Sequence, residues 1–83
     1  MDKNLLIERL KAIVKPYAHS PDALENINEN TDFINDLKIN SANLVDVVLD
    51  VEEAFNIVID NESMERMLTV KASIEIIEAK LSS

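Results

Sequence analysis

The chain has 83 residues, no glycine and no cysteine, and 16 Asp and Glu against 8 Lys and Arg, for a formal net charge of −8. The length allows a single domain (residues 1–83), and without cysteine there is no disulfide framework, Cys-ligated zinc or encoded thiol chemistry. Without glycine there is no Walker- or Rossmann-type phosphate loop and no standard EF-hand turn, and the acidic balance argues against nucleic acid and for a basic partner.

The first periodic segment covers residues 3–17. Leu5, Leu6, Leu10, Ile13, Val14 and Tyr17 fall at helical spacing, with Glu8, Arg9, Lys11 and Lys15 on the other side. Pro16 removes a backbone donor and disfavours helix at Lys15, so the regular helix should end or kink there. Glu8, Arg9 and Lys11 also interrupt the apolar stretch, so no signal peptide is expected. No segment approaches the ~18 consecutive apolar residues of a membrane span, and the expectation is a soluble cytoplasmic monomer.

Residues 18–40 are rich in Asn, Asp, Ser and Pro. Asn26, Asn28, Asn30, Asn35 and Asn40 are expected to supply the turn chemistry of the missing glycine, because asparagine tolerates left-handed backbone angles. A connection this long is usually functional or disordered. Ile27, Phe33, Ile34, Leu37 and Ile39 are spaced along it, so it should lie down on the core. A short helical turn is allowed near residues 22–26 or 33–37.

The second strong helix is predicted over 41–55, with Leu44, Val47, Val48, Val51 and Phe55 as its core-facing stripe. Ser41 or Asn40 suits its N-cap. Ile57-Val58-Ile59 has no partner strand and reads as an apolar connector tucked into the core. A short helix over about 62–67 follows, and Thr69 caps a last helix over 70–81 with Val70, Ile74, Ile77 and Leu81 on one face. The pattern is an all-α bundle of three main helices plus one short helix, with a long loop between helices one and two.

Charge is concentrated rather than spread. Residues 39–65 hold Asp46, Asp50, Glu52, Glu53, Asp60, Glu62 and Glu65 and no Lys or Arg, which is −7 of the total −8. Asp46, Asp50 and Glu53 share one face of the second helix, where like charges repel by a few tenths of a kcal/mol per pair. Beside them lie Val45 and Leu49, an apolar pair outside the core stripe. Such a face is commonly no more than a solvated surface with two stray aliphatics. The sharper reading is a docking strip, in which acids steer a basic partner onto an apolar anchor.

Ser41 stands at the mouth of this helix, near unpaired N–H groups and the positive dipole end, where an attached phosphate would be stabilised. A serine before a helix is ordinarily just a cap, although Leu44 stands where a capping box would place Glu or Gln. Other candidates are weaker. His19 is a lone histidine in a loop between two prolines, and Asp60-Asn61-Glu62 matches the opening of a calcium loop without its glycine or later acids. Met64 and Met67 read as core filler. No Ser/His/Asp arrangement is supported by spacing, so the protein is not expected to be an enzyme.

Asp36-Leu37-Lys38-Ile39-Asn40-Ser41-Ala42-Asn43-Leu44, then Val47-Val48, Val51-Glu52-Glu53-Ala54-Phe55, Ile57 and Ile59, resembles the carrier segment of the acyl carrier proteins. The similarity continues without gaps through Thr69-Val70 and Ile74 to Ile77, and Thr31-Asp32-Phe33 resembles the loop before the motif. The resemblance implies a 4′-phosphopantetheine group, transferred from coenzyme A by a phosphopantetheinyl transferase onto Ser41. It implies a partner-binding second helix with contacts at Val45, Asp46, Leu49, Asp50 and Glu53. The implied partners are acyl-transferring and ketosynthase-type enzymes with basic patches in fatty acid, polyketide or related biosynthesis. Two positions depart from the family's Asp-Ser-Leu motif: Asn40 removes a charge next to the phosphate, and Ala42 removes an apolar contact. They point to a divergent or specialised carrier. The alternative from another class is an unmodified acidic module that binds a basic partner through the same helix.

Overall fold

The structure is a computed structural model and describes residues 2–82. Helix α1 spans Lys3–Val14 and buries Leu6, Leu10 and Val14. Its N-cap is Asp2, whose side chain accepts the Asn4 N–H at 3.2 Å. The helix stops two residues before Pro16, as proline sterics require. The chain closes the end with a tight turn in which the Tyr17 and Ala18 N–H groups both donate to the Val14 carbonyl at 2.9 Å. Tyr17 therefore lies beyond the helix, and Leu5, expected on its buried stripe, is exposed.

The second helix in the chain, α2 (Pro21–Glu25), is one short turn with proline at its start. Of the two places where the sequence allowed a helical turn, this is the one that forms. Residues 33–37 instead make a compact turn whose Asp36 and Leu37 N–H groups both donate to the Asp32 carbonyl. The bundle thus has three long and two short helices among the described residues, one short helix more than the periodicity predicts. Apolar periodicity cannot reveal a single turn that leaves no fully buried side chain.

The connection over 26–40 is bound tightly to the rest of the molecule. Phe33 N–H donates to the Leu68 carbonyl at 3.0 Å, Val70 N–H to Thr31 at 3.0 Å, and His19 N–H to Leu37 at 2.9 Å. Phe33, Leu37 and Ile39 are buried, so the expectation that this loop packs down holds. The expected role of the asparagines does not. Among the described residues the non-glycine left-handed positions are Lys38 (φ 59°) and Asn56 (φ 55°), and none of the loop asparagines is among them. The loop asparagines work through their side chains: Asn28 accepts from Asn30 N–H at 2.8 Å, and Asn26 donates to the Asp22 carbonyl at 2.9 Å. Only Asn56, after the third helix, substitutes for glycine in the way the sequence suggested.

A 3₁₀ turn at Ser41–Asn43 leads into α3 (Leu44–Phe55), so the regular α-helix begins three residues later than predicted. Helix α4 spans Asn61–Arg66 and α5 spans Val70–Ser82. Between α3 and α4, Ile59 is buried and Ile57 half-buried, but Val58 turns outward. Helix α1 packs against both α3 and α5, and α4 against α5. The shared core takes Val47, Val48, Val51 and Phe55 from α3, Val70, Ile74 and Ile77 from α5, and Met67 from the turn after α4. Leu81 lies beyond this core and is exposed. Among the described residues one buried side-chain polar atom, Ser73 Oγ, has no hydrogen-bond partner.

Candidate functional site

The site is built at the junction of the loop and α3. Asn40 is extended (φ −63°, ψ 134°), and its Oδ1 accepts the Ala42 N–H at 2.9 Å while its carbonyl accepts the Asn43 N–H at 2.8 Å. Of the two residues the sequence offered as caps, it is Asn40 that caps. Asparagine keeps the acceptor oxygen that aspartate would supply and gives up only the charge. The Ser41 hydroxyl is thereby released: the residue is exposed and its side chain makes no hydrogen bond among the described residues. It stands at the positive end of the following helix, where a phosphate ester is favoured.

Helix α3 separates its residues into two faces. Val47, Val48, Val51 and Phe55 are buried, whereas Val45 and Leu49 remain 49% and 55% exposed. Asp46 and Glu53 are exposed beside them, and Asp46 also lies in the first turn, where a carboxylate suits the helix dipole. Asp50 differs. It is half-buried, and its Oδ2 accepts the Tyr17 phenol O–H at 2.8 Å. This hydrogen bond, followed by partial burial and the charges of Asp50 and Asp46, holds the Tyr17 phenol above its ordinary value of 10.0. The five strip residues therefore lie together on one side of α3, running away from Ser41.

Sequence reasoning missed Tyr17 as part of this surface and placed it on the apolar stripe of the first periodic segment. It is half-buried, so some packing is present, but its partner lies 33 residues away and no local pattern announces it. Two other acids of the charged window have structural work. Glu52 Oε2 accepts the Ile59 N–H at 2.7 Å and folds the connector back on α3. Asp60 caps α4 through the Ser63 N–H at 2.8 Å and lies 3.9 Å from Lys80 Nζ. The Ser63 hydrogen bonds first, then the Lys80 and Arg66 charges, draw the Asp60 carboxyl below its ordinary range.

His19 is exposed. Among the described residues no group of three His, Cys, Asp or Glu side chains is placed to hold a metal ion. Met67 is buried and Met64 half-buried against the core. A surface cleft of about 460 Å³ between α4 and α5 is lined by Asp60, Ser63, Arg66, Glu75 and Lys80 and takes in none of the strip residues. No helix among the described residues is long and apolar enough to cross a membrane.

No family model matches the chain. Curated relatives do. An acyl carrier protein of Coprothermobacter proteolyticus is 33% identical over 81 residues, covering 98% of this chain and 96% of the relative. One of Desulforapulum autotrophicum is 33% identical over 72 residues, covering 87% and 92%. One of Buchnera aphidicola subsp. Schizaphis graminum is 37% identical over 57 residues, covering 69% and 72%.

Proposed function

Because the chain belongs to the acyl carrier protein family, we propose that Ser41 Oγ bears a 4′-phosphopantetheine arm derived from coenzyme A. When attached, that group supplies the thiol this cysteine-free chain lacks, and on it acyl groups are carried as thioesters between enzymes of fatty acid, polyketide or related biosynthesis. The protein is a carrier, not a catalyst, and residues 1–83 make up one carrier domain.

The observation that supports this most directly is the division of labour between Asn40 and Ser41. Asn40 caps the turn, so the Ser41 hydroxyl is not needed for folding and is exposed for modification. The residues present suit a phosphate ester: an exposed oxygen, the positive end of a helix, and an uncharged amide where the family's aspartate would stand. No basic side chain is required at Ser41 itself, because the dipole and solvent share the charge.

Val45, Asp46, Leu49, Asp50 and Glu53 form the docking surface for the transferase and for acyl-transferring and ketosynthase-type enzymes with basic patches. Exposed acids raise the encounter rate with a basic face, and the two aliphatics give it a small apolar centre. Such a surface favours fast association and ready release, which suits a shuttle.

The test is modification itself. The apo-protein is incubated with coenzyme A and a broad-specificity phosphopantetheinyl transferase, and its intact mass is recorded. The expected result is a gain of one phosphopantetheine group, abolished by Ser41→Ala. No gain with any transferase, including one from the native host, would favour the unmodified adaptor.

A further inference from the structure

We infer that Tyr17 is a positioning residue of the docking surface: its phenol O–H holds the Asp50 carboxylate in the orientation in which it meets a basic partner. This inference rests on the carrier reading above. The turn after α1 brings the ring of Tyr17 against α3, and the O–H···Oδ2 bond at 2.8 Å is a side-chain contact made between the two elements. Among the described residues Asp46 and Glu53 have no such bond, and both are exposed while Asp50 is half-buried.

The consequence for docking is one of preorganisation. A free surface carboxylate loses rotamer freedom when a partner's ammonium or guanidinium binds it, and that loss is subtracted from affinity. Asp50 has already lost it in the free protein. The phenol occupies one lone pair of one oxygen, so the remaining acceptor sites stay available to a cation. The charge of Asp46 also reaches the phenol. The partner this surface fits is therefore the basic face of an enzyme that presents a cation at a fixed position near the middle of α3. The phosphopantetheinyl transferase is the one that can be assayed directly.

The experiment uses the full chain, coenzyme A and a phosphopantetheinyl transferase at low salt, with KM for the carrier and kcat measured separately. Tyr17→Phe keeps the ring and removes the donor. It is expected to raise KM roughly two- to fivefold, the lower part of the range that freezing one side chain supplies, with kcat unchanged. That factor should vanish in an Asp50→Ala background and persist in a Glu53→Ala background. Thermal melts of each variant record any loss of fold separately, so a purely structural bond would shift the melts and leave the KM pattern flat. If Tyr17→Phe leaves KM unchanged, or acts equally in both backgrounds, the inference is overturned while the carrier reading stands. If reversing Asp46 and Asp50 to Lys leaves KM unchanged, the docking surface and this inference fall together. If the wild-type chain is not modified at all, the carrier reading falls first.

Discussion

The connection over 26–40 and the outer face of α3 invert what their backbones suggest. The connection is polar, long and without extended regular structure, yet its backbone is bonded to α5 and the turn before it, and Phe33, Leu37 and Ile39 are sealed in the core. The outer face of α3 belongs to a regular helix, yet Val45 and Leu49 are about half exposed and Asp46 and Glu53 point to solvent. Regular backbone and committed side chains are thus separate properties. A rigid helix can therefore present uncommitted side chains without reordering its own backbone.

The sharpest way to break that contrast is to truncate one side chain in each region. Phe33→Ala should cost about 3–5 kcal/mol, because the ring is fully buried and leaves a cavity. For a domain of this size that is a large share of a total near ~4–12 kcal/mol. Leu49→Ala should stay within about 0.5 kcal/mol, as surface substitutions do. Urea unfolding followed by circular dichroism measures both, and comparable losses at the two sites would erase the distinction.

A smaller effect separates the two residues at the boundary between the regions. Asn40→Ala removes the cap on the turn and should cost about 1 kcal/mol, whereas Ser41→Ala should leave stability nearly unchanged. If Ser41→Ala proved the more damaging, the serine would be the structural residue and the reading of its hydroxyl as free would be wrong.

The smallest expected effect lies at high pH, where Tyr17 joins the turn after α1 to the outer face of α3. It is the only tyrosine in a chain without tryptophan, so its ionisation can be followed by ultraviolet absorbance without interference. The bond to Asp50 raises its folded-state value above 10.0. The stability it contributes is therefore fully present below pH 10.0 and is lost as the pH rises through the folded value. In Asp50→Ala the titration should move back toward the ordinary value, and an unmoved curve would mean that the bond does not form in solution.

Much of this molecule can be read from its chain. The buried stripe of α3, the stop imposed by Pro16, the descent of Phe33 and Leu37 onto the core and the acidic window all follow from spacing and composition. These are local properties, set by helix periodicity and by the need to bury apolar area. The candidate site was legible in part. Ser41 and the five strip residues stand out in sequence, but which of Asn40 and Ser41 would cap did not, because both side chains can accept the same N–H.

The sequence by itself determined the buried stripe of α3, where the charge lies and which serine stands in the turn before that helix, since each of these depends on neighbours within a few positions. Only the tertiary structure decided that Lys38 rather than a loop asparagine takes the left-handed backbone, and that Glu52 and Asp60 serve the fold while Asp46 and Glu53 face solvent. It alone decided that Tyr17 grips Asp50 across 33 residues. The physical reason is that these assignments depend on which chain segments are brought together by burial of the common core. A side chain's hydrogen-bond partner is fixed only after that burial has chosen its neighbours.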